Sequence, residues 1–265
     1  MAPGDIRDTF EKFRDELDEH NDRRERLIKA SRDVTNISKK TIFLLHRIVQ
    51  ESQGDASSYH DSRIRAANQG RDKLRQVQEI YNGLKEELVG DQFWRYERQV
   101  SPGLQEYIEA LSFAHYLEHG NLITHAQVQA TLVDADGTQF FPLTTYDYLL
   151  GVSDLTGELM RYAISGFGRT GGRSRANEVC AFVRNCRADF ERLTPYIRDL
   201  NKKQAVTSQS LAKIEDVNFT ISPAAYAVAI RALEYELSPD ELDRFVANFL
   251  STYSENAGGH DQESL

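Results

Sequence analysis

Two short stretches hold the residues whose types and spacing suggest chemistry. In LQEYIEALSFAHYLE (Leu104–Glu118), Glu106 and Glu109 sit three residues apart on the side carrying Ala110, Phe113 and Leu117. In TTYDYLLGVSDLTGELMRYAIS (Thr144–Ser165), Asp147, Asp154 and Glu158 follow at spacings of seven and four, lining one flank of an apolar helical face. A carboxylate on an apolar face is costly unless it is protonated, paired or bound to a cation. Hard oxygen donors at i,i+3 on one helix and i,i+4 on its neighbour can converge on Mg²⁺, or on Mn²⁺ as an equivalent ion. An ion held that way polarises a phosphoryl oxygen and activates a water. The alternative is structural: Glu106, Glu109, Asp154 and Glu158 pair with arginines such as Arg161 or Arg184. Helical di-iron sites use Glu-x-x-His, whereas Ser112 follows Glu109 and Arg161 follows Glu158 at that spacing. His46, His115 and His125 are scattered singly and take no role.

Helices must position these acids. Tyr148, Leu149, Val152, Leu155, Leu159, Tyr162 and Ala163 share one face, so Thr144 or Thr145 caps a core helix. Ser101-Pro102 reads as a cap followed by a first-turn proline, opening the glutamate-bearing helix. Gly90 closes a helix over residues 59–89, and Asp91 caps a shorter one containing Phe93, Trp94 and Tyr96, core aromatics by type, with base stacking as the minor reading for Trp94 and Tyr96. Residues 5–51 form one long helix, unbroken by Pro or Gly. A short helix over 126–132 leads into the loop DADGTQFFP. Further helices cover 173–193 and run from Pro195 to about Phe219, with shorter ones after Pro223 and Pro239 and a disordered tail over 252–265. The glycines of GFGRTGG follow a helix rather than a strand, so they form a connection and not a phosphate-cradling loop. The expected fold is all-α, a single domain over 1–265 with its ordered core at about 5–251.

Composition narrows the class of partner. The chain has 265 residues and a net charge of −9, against nucleic-acid binding by overall basicity. Local patches depart from that balance. Between His20 and Arg47 eight basic residues face three acidic ones. Its first half reads as a solvated face with pairs such as Asp22–Arg26 and Glu25–Lys29. Arg32, Lys39, Lys40 and Arg47 have only Asp33 nearby and point to an anionic partner. Arg63, Arg65, Arg71, Lys73 and Arg75 extend the positive surface, with Asp72 alone opposing them. Cys180 and Cys186, six residues apart, suggest neither a disulfide framework nor a cysteine metal site, which fits a reducing compartment. The start MAPGDIRD lacks a signal-peptide layout, and apolar runs such as Ile42–Leu45 are too short to cross a bilayer, so no membrane partner is expected.

The segments SRDVTNISKKTIFLLHRI, GLQEYIEALSFAHYL, YDYLLGVSDLTGELMR and QSLAKIEDVNF together resemble the translin family. Within it they are more similar to the translin-associated factor X branch than to translin itself, over residues 10–249. The resemblance implies a seven-helix subunit with a long N-terminal helix, joined to a translin subunit in a hollow hetero-octamer. It implies a Mg²⁺-dependent endoribonuclease cutting single-stranded RNA, such as passenger-strand or precursor-tRNA leader fragments, with single-stranded DNA as a second ligand. It matches the family's catalytic acids to Glu106, Glu109, Asp154 and Glu158. The cytoplasm, the nucleus or both are the expected locations. The competing class is a non-catalytic nucleic-acid-binding or scaffold subunit.

Overall fold

The computed structural model describes residues 6–51, 56–167 and 171–220. The helices anticipated after Pro223 and Pro239 and the tail over 252–265 lie outside them. Among the described residues there are seven α-helices and no strand: α1 (Ile6–Glu51), α2 (Ala56–Gly83), α3 (Asp91–His119), α4 (His125–Gln129), α5 (Thr145–Gly166), α6 (Gly172–Leu193) and α7 (Leu200–Thr220). The all-α expectation and the long first helix are met. At 46 residues α1 is about 70 Å long at ~1.5 Å per residue.

The chain packs as two units. The first takes Met1–Leu155 and Phe190–Gln204, the second Thr156–Asp189 and Ala205–Leu265. In the first, α1, α2 and α3 pack on one another around Leu27, Val34, Leu45, Leu74, Leu104 and Phe113, all fully buried. The same α1 seam continues toward the N-terminus as Ile6, Phe10, Phe13 and Leu17, but there all four are exposed. In the second, Thr156 and Thr207 hydroxyls meet at 3.0 Å, Arg184 binds Glu215 at 2.6 Å, and Arg175 donates to the Gly166 carbonyl at 3.2 Å.

Helix α3 differs most from its sequence pattern. Instead of a helix opening at Ser101-Pro102, it runs unbroken from Asp91 to His119 with Pro102 inside. A proline there supplies no N–H to the carbonyl four residues back and crowds it. The flanking groups make their bonds elsewhere: Ser101 Oγ donates to Asp147, and the Gly103 N–H donates to Ser31 Oγ of α1 at 3.1 Å. Gly103 is required, since a Cβ would lie 2.7 Å from the Ser31 carbonyl. Asp91 is not the cap either. Gly90 takes that position at φ +60° with no side-chain cap bond, and Asp91 adds an acid to the first turn.

Smaller boundaries also move. Helix α2 stops at Gly83 and a 3₁₀ turn covers Lys85–Leu88. Helix α4 is shorter than expected and begins at a capping box, Thr124 with Gln127. Pro195 lies in a turn, because α7 starts only at Leu200. Around Gly166–Gly172, residues 168–170 fall outside the description.

Candidate metal centre and nucleic-acid face

Helices α3 and α5, which carry the acids, cross closely. At Gly151 α5 approaches α3 so nearly that a Cβ would lie 2.7 Å from Ile108 Cβ and 2.9 Å from the Gln105 carbonyl. Glu106 and Glu109 stand on the α3 turn at that contact, and Asp154 is three residues further along α5. Glu106 and Glu109 are half-buried rather than buried as their sequence setting suggested. Glu158, one turn beyond Asp154 and likewise half-buried, belongs to the second unit.

Asp147, which the sequence aligned with Asp154 and Glu158, has another task. It is 1% exposed and its carboxylate accepts from Ser101 Oγ, from Gln105 Nε2 at 2.9 Å and from Thr144 Oγ1 at 2.9 Å. Its own N–H donates to Thr144 Oγ1 at 3.0 Å, so Thr144 is the cap of α5. These bonds occupy the carboxylate with donors that anchor α5 to α3.

Glu106, Asp154 and Glu158 carry cations supplied by the chain. Lys39 Nζ lies 3.1 Å from Glu106 Oε1. Lys203 Nζ donates to Asp154 Oδ2. In the second unit Arg161 reaches Glu158 at 3.7 Å. The sequence suggested Arg161 correctly, but Arg184 binds Glu215, and the partners of Glu106 and Asp154 are lysines. Burial pushes the Asp154 carboxyl above its ordinary range, and the Lys203 ammonium partly opposes that rise. Among the described residues no three His, Cys, Asp or Glu side chains converge as a metal site. Glu106, Glu109 and Asp154 are half-buried carboxylates, and carboxylate oxygen is the donor type that Mg²⁺ and Mn²⁺ take. Lys203 was not singled out by the sequence. It stands in DLNKKQ, where Asp199 four residues back is the acid at helical pairing distance, and only packing sets it against Asp154.

The basic face is smaller than the count of positive residues implied. Arg32 and Lys40 are exposed and have no ion pair among the described residues. Lys39 is engaged by Glu106, and Arg47 lies 3.7 Å from Glu51 one turn on. In the first half of the patch Arg26 forms a fork with Glu87 at 2.7 and 2.9 Å rather than pairing with Asp22, and Arg24 rather than Lys29 meets Glu25. That fork holds the Glu87 carboxyl below its usual range. On α2, Arg71 binds Glu118 and Asn68, Arg63 donates to the Leu117 carbonyl at 2.8 Å, and Arg75 pairs with Asp72 at 3.1 Å. Arg63 thereby satisfies a carbonyl of the last α3 turn. Of the aromatics, Phe93 and Tyr96 are core and Trp94 is 66% exposed. Among the described residues no helix is long and apolar enough to cross a membrane.

An all-α chain with carboxylates at a close helix crossing and a basic strip on its longest helix defines a narrow class of protein. Residues 22–222 match the Translin family, and the chain belongs to it. It is 36% identical over 247 residues to Translin-associated protein X of Pongo abelii, covering 85% of this chain and 79% of that protein. To Translin of Gallus gallus it is 26% identical over 199 residues, 73% of this chain and 86% of that one. This order agrees with the branch that the sequence motifs resemble. Among solved structures, that of an AfC3PO–duplex RNA complex superposes with a TM-score of 0.59 at 20% identity, over 83% of this chain and 97% of the other. That likeness establishes the shared helical fold.

Proposed function

We propose that this chain is the catalytic subunit of a translin-type hetero-oligomeric endoribonuclease that hydrolyses single-stranded RNA with Mg²⁺. The observation that carries the reading is the α3–α5 crossing at Gly151, which sets Glu106, Glu109 and Asp154 on adjoining turns. Glu158, which the family resemblance adds to the catalytic acids, is described within the second unit alone, and the other three would hold the ion. When bound, it would supply polarisation of a phosphoryl oxygen and a water activated for attack. The protein's part would be to fix the acids: Asp147 ties α5 to α3, and Gly151 allows their close crossing. Arg32 and Lys40 would draw the RNA backbone, with Lys39 and Arg47 joining once released from their acids. Single-stranded DNA would bind the same strip.

The exposed row Ile6, Phe10, Phe13 and Leu17 supports assembly with a translin subunit, since an uncovered apolar face of that length favours burial against another chain. Passenger-strand and precursor-tRNA leader fragments are the substrate classes we assign, acting in the cytoplasm or nucleus.

A second reading has its own observation. The pairs Lys39–Glu106, Lys203–Asp154 and Arg161–Glu158 suit a purely structural set of acids, as in a non-catalytic nucleic-acid-binding or scaffold subunit. The substitutions Glu109→Gln and Asp154→Asn separate the two in the co-expressed complex. As metal ligands, their loss should lower single-turnover cleavage by several orders of magnitude while the oligomer and RNA affinity persist. As structural partners, Asp154→Asn takes a carboxylate from the Lys203 ammonium, costing between the ~1 kcal/mol of an exposed pair and the ~3–5 kcal/mol of a buried one. A fully active Asp154→Asn complex in Mg²⁺ would eliminate the metal-site reading.

A further inference from the structure

We infer that Lys203 and Lys39 are internal counter-cations that compete with the divalent ion for Asp154 and Glu106, and so set how much metal the site needs; this rests on the metal-site reading above. Each ammonium takes an oxygen of a different candidate ligand: Lys203 Nζ on Asp154 Oδ2, and Lys39 Nζ at 3.1 Å from Glu106 Oε1. All four residues belong to the first unit, with the acids on the two helices that cross at Gly151. Each ammonium occupies carboxylate lone pairs that a metal would use and sets a positive charge beside the ion, so ion and lysine compete for the acid.

The lysines are not needed to hold the helices. The start of α7 is already tied to α5 by Tyr146 Oη donating to Asp199 Oδ2 at 2.6 Å, by Gln204 donating to Ser153 at 3.5 Å, and by the fully buried Leu200. Helices α1 and α3 are joined by the Gly103–Ser31 bond and the core around it. Lys203 is the stronger competitor, because its side chain is 23% exposed against 63% for Lys39. A less hydrated pair is harder to break. In the absence of metal the same pairs keep neighbouring carboxylates from repelling one another. The pairs therefore offset part of the acids' charge while the site is idle, and yield when divalent ion is abundant enough to exchange for the lysines.

The test is Mn²⁺ binding, by calorimetry and by Mn²⁺ electron paramagnetic resonance, to the full chain co-expressed with a translin subunit and without RNA. Lys203→Met should tighten Mn²⁺ by roughly three- to fivefold, and Lys39→Met by about twofold, reflecting the worth of partly exposed pairs. Lys203→Arg, which keeps the cation, should bind like wild type. Lys40→Met removes a neighbouring charge without a carboxylate partner and should move affinity less than Lys39→Met. If Lys203→Met and Lys39→Met bind Mn²⁺ no more tightly than wild type, while Asp154→Asn abolishes binding, the counter-cation inference is overturned and the metal site stands. If wild type binds no Mn²⁺ and Asp154→Asn changes nothing, the metal-site reading itself fails. Should Lys203→Met not assemble, Lys39→Met on α1 decides alone.

Discussion

Gly151→Ala tests whether the helix crossing builds the site. The added methyl would meet Ile108 Cβ at 2.7 Å, Ile108 Cγ2 at 2.9 Å and the Gln105 carbonyl oxygen at 2.9 Å. Ordinary carbon contacts lie near ~3.5–4.0 Å, so α5 and α3 must part by about 1 Å. No rotamer change relieves it, because two of the three atoms are backbone or fixed directly to it. Overpacking of this kind costs about 1–3 kcal/mol. Alanine recovers up to about 1 kcal/mol of helix propensity over glycine. Gly157, six residues along the same helix, has no described atom within 4 Å of its would-be Cβ, so Gly157→Ala gains the propensity alone. The propensity term cancels between the two variants and leaves the clash. For a chain of this size ~1 kcal/mol corresponds to ~2–4 °C, so Gly151→Ala should melt about 2–12 °C below Gly157→Ala in calorimetry of the same complex. Parting the helices by ~1 Å should also cut cleavage by up to about a hundredfold, whereas Gly157→Ala leaves the crossing intact. Gly151→Ala melting at or above Gly157→Ala would refute the claim that α5 and α3 need this closeness.

Acid should loosen the first unit through Glu87 and Glu118, whose carboxyls are held low by Arg26 and Arg71 respectively. The folded protein binds fewer protons there than the unfolded chain, so this stability is present above the ordinary carboxylate value of 4.5 and is lost as pH falls through the lower folded values. Melting temperature against pH should therefore fall less steeply on the acid side in Glu87→Gln than in wild type, and identical slopes would contradict this. Arg32→Ala with Lys40→Ala should weaken single-stranded RNA binding and reduce the salt slope by about 1.4, at ~0.7 per phosphate contact. An unchanged slope would mark the strip as solvated surface only. Asp147→Ala should destabilise the chain by roughly 1–3 kcal/mol, since it removes the acceptor shared by the part-buried donors of Ser101, Gln105 and Thr144. A neutral effect on melting would show that Asp147 does not anchor α5.

What the sequence determined by itself was whatever a residue shares with neighbours three or four positions away. The helical period, the common face of Glu106 and Glu109, the turn from Asp154 to Glu158, and the family motifs are all of this kind, and the all-α fold follows from them. Tertiary structure decided the rest. Pro102 looked like a helix start because Ser-Pro is a local start signal. It lies inside α3 because Ser101 and Gly103 find partners on α5 and α1. Asp147 shared its helical flank with Asp154, yet burial beside Ser101 and Gln105 made it an anchor instead of a free acid. Arg26 read as the partner of Asp22 and Arg71 as open positive charge until packing set Glu87 and Glu118 against them, 61 and 47 residues away. Lys203 is 49 residues from Asp154, and no local pattern connects them. An ion pair between distant segments is fixed by which helices cross and at what height, and that depends on the packing of the whole core.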